Sequence, residues 1–239
     1  MGMKLRGRVG TQRILRAFPP GRGRISCAIL KFFPVDSNFC QFIRGDFMND
    51  AIRVFYDRKS VRRFLPRPAE REELSALFDA AVQAPCGGNT QQWKFFCLQS
   101  EPVREALSAA VRLAMRDFPL GENPYKSMAN ARRAAQKDDY CCYFHAPVWI
   151  LIAMDETYPN AMADAALAMG NLMHAATAQG LGTCWVNQVP WTQDDPRVRE
   201  VLQKIGVPDG FRVCATAAVG YPETLPNKPA RKPADVTYL

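Results

Sequence analysis

The sequence predicts a single α+β domain with helices around a central sheet, and three observations lead there. From Met48 onward, segments of helical period alternate with segments of strand period. Hydrophobic residues make up 48% of a 239-residue chain, enough for a substantial core, which argues against a disordered or fibrous protein. The longest apolar run, "APVWILIAM" at 146–154, suits a buried strand and falls short of the ~20 residues a membrane span requires.

In chain order, "MNDAIRVFYDRKSVRRF" from Met48 reads as the opening of an ordered domain. "AEREELSALFDAAVQA" (69–84) puts Leu74, Leu77, Phe78, Ala81 and Val82 on one helical face, with acids in its first turn where the helix dipole favours them. A loop, "APCGGNTQQW" (84–93), separates it from "KFFCLQS", which alternates as a strand anchored by Trp93. Residues 102–118 read as a helix with Val103, Leu107, Val111 and Ala114 inward, and "NPYKSMANARRAAQKDD" as a polar helix. "APVWILIAM" follows as a central strand, with His145 at its edge. Residues 159–180 form a long Ala/Met-rich helix ended by Gly180, with Met162, Met169, Met173 and His174 as packing positions. Strands near 183–186 and 212–219 flank a helix at 196–205. No internal repeat or low-complexity segment is evident.

The net charge of +8 is unevenly placed. Residues 1–47 hold nine Lys or Arg against two acids, leaving 22 basic and 21 acidic residues in 48–239. The basicity belongs to this leader, which is expected to be a poorly ordered extension of the 48–239 domain. An organelle transit peptide, a nucleic-acid arm and an extension upstream of the true start are its three readings. Without aromatic interleaving or a recognition-helix pattern, nucleic acid is not expected as a partner, and neither is a membrane. Eight cysteines show no CxxC spacing, and the two histidines lie far apart, so no metal site is expected. The cysteines read as small core residues of a reducing compartment, which points to the cytoplasm.

Two basic clusters suit an anion. "DRKSVRRF" supplies Arg58, Lys59, Ser60, Arg62 and Arg63, and "NKPARKPADV" supplies Lys228, Arg231 and Lys232. A phosphate dianion wants two or three cationic donors and a hydroxyl, although a solvated basic face would look the same. In the loop, Gly87 and Gly88 would let backbone approach a flat ligand, while Asn89 and Gln91 offer both donors and acceptors. A plain turn also uses Gly-Gly-Asn. Taken together, the clusters and the loop suggest a phosphorylated heteroaromatic cofactor.

Five pieces in order give this a family. "RKSVRRF" resembles R-R-S-x-R-x-F, and "APCGGNTQQW" resembles A-P-S-x-x-N-x-Q-P-W. "GLGTCWV" after a long helix, "VGYPE" and "KPARKP" complete the set. Over roughly residues 50–239 the chain resembles the FMN-dependent nitroreductase family. The resemblance implies a nitroreductase-like fold, a mostly antiparallel sheet within an intertwined homodimer that shares its active sites. It also implies the ligands of FMN. Arg58, Ser60 and Arg62 would bind its phosphate together with Arg231, and Lys59 would contact the ring through its backbone. Pro85, Cys86, Gly87 and Asn89 would reach the flavin from the partner subunit, with Gln91 supporting them. Asn123 and Lys126 would meet its pyrimidine. Gly182 and Thr183, through Asn187 and Gln188, would bring backbone amides to N5 and O4. The sequence departs from the pattern at Cys86, where Ser is usual, and at Gln92, where Pro is usual.

The implied activity is reduction of nitroaromatics, quinones or similar small acceptors by NADH or NADPH in a ping-pong cycle, with no catalytic side chain required. Phe118, Tyr125 and Tyr140 fall where the family varies its substrate cover. Other readings keep the fold but change the chemistry to reductive dehalogenation or flavin fragmentation, or make the protein a flavin binder without turnover.

Overall fold

Asn49 Oδ1 accepts from the Ala51 amide at 2.8 Å, and this cap starts helix α1, Asp50–Asp57. A computed structural model describes residues 49–227 and 230–239. The expectations for 1–47, Cys27, Cys40 and Lys228 lie outside the described residues. α2, Arg71–Ala81, begins with a capping box between Glu70 and Glu73. A short 3₁₀ turn at Gly87–Asn89 leads into β1, Lys94–Leu98. Then come α3, Glu101–Arg116; α4, Lys126–Ala134; β2, Val148–Asp155; and α5, Ala161–Ala178. β3, Gly182–Trp185, is followed by two short helices, α6, Gln188–Thr192, and α7, Pro196–Lys204. β4, Phe211–Gly220, closes the set.

The strands form one antiparallel sheet in the order β1-β2-β4-β3. β2 is central, as its apolar run predicted, and Val148 through Met154 are all inaccessible to solvent. Alternation along it splits the core in two. Val148, Ile150, Ile152 and Met154 pack with Leu74 and Leu77 of α2 and with Met169 and Leu172 of α5. Trp149, Leu151 and Ala153 pack with Leu107 and Val111 of α3 and with Val198 and Leu202 of α7. Continuous apolarity is the usual mark of a parallel strand, but here it reports helices on both faces rather than strand direction.

α5 ends as expected. Gly180 sits at φ 76°, Gly180 N–H donates to Thr177 O and Leu181 N–H donates to Ala176 O at 2.8 Å, so the last carbonyls are satisfied and the chain turns directly into β3. Some positions differ from the sequence reading. Val82 and Met162 are exposed, at 41% and 60%, because α2 stops at Ala81 and Met162 lies on the outer side of α5's first turn. His145 is not at the strand edge: it occupies a turn at φ 53°, before β2 begins. α1 and α6 carry no clear helical signal in the sequence; both are short, and helices of that length draw stability from packing rather than propensity.

Candidate functional site

After α1 ends, the backbone turns extended at Arg58 and runs onto the sheet edge. Ser60 forms a parallel bridge with Thr183, and the Val61 amide donates to Thr183 O at 2.9 Å. The approach is close. A Cβ on Gly182 would lie 2.7 Å from Val61 Cγ2, so only glycine fits beneath this segment. Arg58, Lys59, Ser60 and Arg62 are thereby brought beside Gly182 and Thr183. Among the described residues, neither Arg58 nor Arg62 pairs with a carboxylate, and the Arg62 guanidinium lies 5.8 Å from the centre of the Phe144 ring. Their field reaches the neighbouring strand. Burial pushes the Cys184 thiol above its ordinary value, and Arg62 and Arg58 oppose that shift.

Thr183 supplies a test of fit. Among the described residues its hydroxyl is buried without a hydrogen-bond partner, and the residue is only 1% exposed. An unmet buried hydroxyl costs about 1–3 kcal/mol, so its persistence at the sheet edge marks a place where a polar ligand could be met. Two unpaired guanidinium groups, the Ser60 hydroxyl and a polar-lined glycine edge suit a phosphate ester carrying further polar groups.

Beyond β3, Asn187 precedes α6 and its Oδ1 accepts from Trp185 Nε1. Gln188 Nε2 donates to Tyr140 Oη at 2.8 Å. Burial pushes the Tyr140 phenol up to about 12, so it stays neutral and able to donate at ordinary pH. Tyr140 lines an open cleft of about 590 Å³ together with Arg62, Phe144 and His145. The cleft therefore adjoins the Arg58–Arg62 segment through Arg62 and the α6 start through Tyr140. Phe144 and His145 both adopt left-handed backbone, φ 57° and 53°, which costs about 1–3 kcal/mol at each and is held by the surrounding turn.

The amide-rich loop lies at the other end of α5. The Gly87 amide donates to Asp164 Oδ2 at 3.2 Å, and the Tyr158 hydroxyl donates to the same oxygen at 2.8 Å. A Cβ at Gly87 would meet Tyr158 Oη at 2.6 Å, so the chain itself already requires glycine there. Its N–H is engaged by the Asp164 carboxylate within the chain. Cys86 Sγ accepts from the Gln91 amide, and Gln91 Nε2 donates to Asn89 Oδ1 at 3.1 Å. Asn89 is exposed at φ 55°, and Pro85 is exposed beside it. Since α5 has 18 residues, its two ends stand about 27 Å apart. One chain therefore does not bring Pro85–Asn89 to the Ser60–Thr183 bridge.

Asn123 is exposed in the turn before α4, Lys126 opens α4, and Arg231 lies in the extended tail. Among the described residues, these three side chains make no hydrogen bond or ion pair to the rest of the set. Phe118 packs with Trp191 and Tyr140 against Met115 but does not line the cleft, and Tyr125 is 65% exposed. Tyr158 and Asp164 belong to none of the sequence motifs. An acid in the apolar first turn of an Ala/Met helix was the available signal, because a buried carboxylate requires partners. Among the described residues, no group of three or more His, Cys, Asp or Glu could hold a metal, and no helix is long and apolar enough to cross a membrane.

The chain matches a family model described as "Nitroreductase family" over residues 56–221. It is 28% identical to a 4-nitrobenzoate reductase of Pseudomonas putida, over 72% of this chain and 86% of that protein. It is 27% identical to an iodotyrosine deiodinase of Thermotoga neapolitana, over 78% of this chain and 98% of that one. A crystal structure of a nitroreductase with bound FMN from Bacteroides fragilis superposes with a TM-score of 0.72 at 28% identity, covering 80% of this chain and 100% of that chain.

Proposed function

This chain belongs to the nitroreductase family, and from that premise we propose that it is an FMN-dependent oxidoreductase. It uses NADH or NADPH to reduce nitroaromatics, quinones or similar small acceptors. The observation that carries the reading is the Ser60–Thr183 bridge, which draws two unpaired arginines and two hydroxyls to one sheet edge. When bound there, FMN supplies the two-electron redox chemistry. Arg58, Ser60 and Arg62 hold its phosphate, with Arg231 closing from the tail, and Lys59 presents backbone. Gly182, Thr183, Asn187 and Gln188 lie along the flavin ring, and Asn123 and Lys126 approach its pyrimidine. Tyr140, oriented by Gln188, offers a neutral hydroxyl at the rim of the cleft and needs no unusual acidity. Protons come from solvent.

The separation along α5 favours a homodimer in which Pro85, Cys86, Gly87 and Asn89 serve the partner's flavin. Asp164 and Tyr158 hold that loop in place. A reducing compartment, the cytoplasm, belongs to the same reading: the six described cysteines are free thiols. Reductive dehalogenation is the second reading, favoured by the match to nearly the full length of an iodotyrosine deiodinase.

The test is an absorbance spectrum of the purified protein followed by anaerobic titration with NADH and NADPH. A yellow protein bleached by one or both is expected. Arg58→Ala combined with Arg231→Ala should weaken FMN retention at least about tenfold, since each removes a charge-assisted contact. Normal flavin occupancy in that double variant would remove the assigned phosphate site. Turnover of a halotyrosine in place of nitroaromatics and quinones would shift the chemistry to the second reading.

A further inference from the structure

We infer that the cleft beside the Arg58–Arg62 segment selects aromatic acceptors bearing an anionic substituent, with Arg133 and Lys137 as the recognising residues. The inference rests on the proposed reduction of small acceptors. The cleft has the volume for an aromatic ring beside a cofactor, about 590 Å³, and two of its walls are Tyr140 and Phe144. Arg62, Arg133 and Lys137 line it against a single acid, Asp139. Among the described residues, none of these cations pairs with a carboxylate.

The neighbourhood accounts for that surplus. Asp138 is taken by Arg112 and Arg116 at 2.8 and 3.2 Å, on the side of α3, and those two arginines hold its carboxyl below the ordinary range. Arg133 sits in the last turn of α4, where Nη2 donates to Asn130 Oδ1 at 2.8 Å. That bond fixes one edge of the guanidinium and leaves its other donors available to a bidentate anion. Lys137 lies one turn on, its amide bonded to Ala134 O. A flat ring between Tyr140 and Phe144 with a carboxylate, sulfonate or phosphate toward Arg133 and Lys137 matches both shape and charge. Arg62 belongs to the cofactor side, whereas Arg133 and Lys137 reach the cleft from α4 and the turn after it.

The experiment compares 4-nitrobenzoate with 4-nitrobenzamide, which share ring and nitro group and differ in charge. In the FMN-loaded enzyme, calorimetry should show benzoate binding more tightly than benzamide, with the difference shrinking at high salt. Arg133→Gln combined with Lys137→Gln should lower the kcat/KM ratio of 4-nitrobenzoate over 4-nitrobenzamide about tenfold, through KM. Equal binding of benzoate and benzamide by an actively reducing enzyme would overturn the inference alone. So would an equal fall for both acceptors, or loss of FMN from the double variant, which would return these cations to the cofactor. Charge-selective binding in a protein that reduces neither acceptor would overturn the proposed reaction, and with it the acceptor role of the cleft.

Discussion

Gly182 and Gly87 lack side chains because a neighbour already fills the space, and neither position has a left-handed backbone. At Gly182 the neighbour is Val61, itself only 1% exposed and unable to step aside. Gly182→Ala should therefore cost about 1–3 kcal/mol through overpacking and should loosen FMN by lifting Ser60 from Thr183. Gly121→Ala, where nothing lies within 4 Å, should leave both unchanged. Thermal unfolding and flavin content of the two variants check this. "GLGTCWV" made Gly182 legible as a site residue, but its partner Val61 was invisible, because a close approach across 121 positions leaves no local trace. Gly87 illustrates the opposite case. Its place in a loop was legible, while the cause, Tyr158 and Asn160, was not.

At the scale of elements, the loop after α2 is tied to Asp164 and Tyr158. Asp164 accepts from both Gly87 N–H and Tyr158 Oη while only 4% exposed. Asp164→Ala should cost about 1–3 kcal/mol by orphaning the Gly87 N–H, while the Tyr158 hydroxyl keeps the Gly87 carbonyl at 3.2 Å. Hydrogen exchange at the Gly87 amide should accelerate while β2 amides keep their protection. A second tie joins α2 to the chain after β4. The Tyr221 hydroxyl donates to Glu73, and this bond, then the Glu70 amide, holds the Glu73 carboxyl below its ordinary 4.5. A depressed carboxylate stabilises the fold fully above that ordinary value and loses its contribution as pH falls through the lowered one. Tyr221→Phe should therefore flatten the acid limb of stability, seen as urea midpoints that change less across pH 4.5 than in the wild type. The Glu70–Glu73 cap was readable in "AEREEL" as acids in a first turn. The reach of Glu73 to Tyr221, 148 residues away, was not.

For the whole molecule, one strand organises two cores. Leu172 of α5 is fully buried against β2, so Leu172→Ala should destabilise by about 2–5 kcal/mol in chemical denaturation. The length of α5 also sets an expectation for assembly: if the amide loop serves a second subunit, sedimentation should find a dimer, and flavin release should follow its dissociation on dilution. The sequence by itself determined the kinds of the longer elements, the burial of β2, the Gly180 stop and the family pattern, because periodicity, caps and short motifs are written in neighbouring residues. Only the tertiary structure decided that Ser60 lies on Thr183, Gly87 on Asp164, and Gln188 on Tyr140. It also decided which cations were left unpaired around the cleft. Such pairings depend on how whole helices and strands pack, and residues far apart in the chain carry no local mark of meeting.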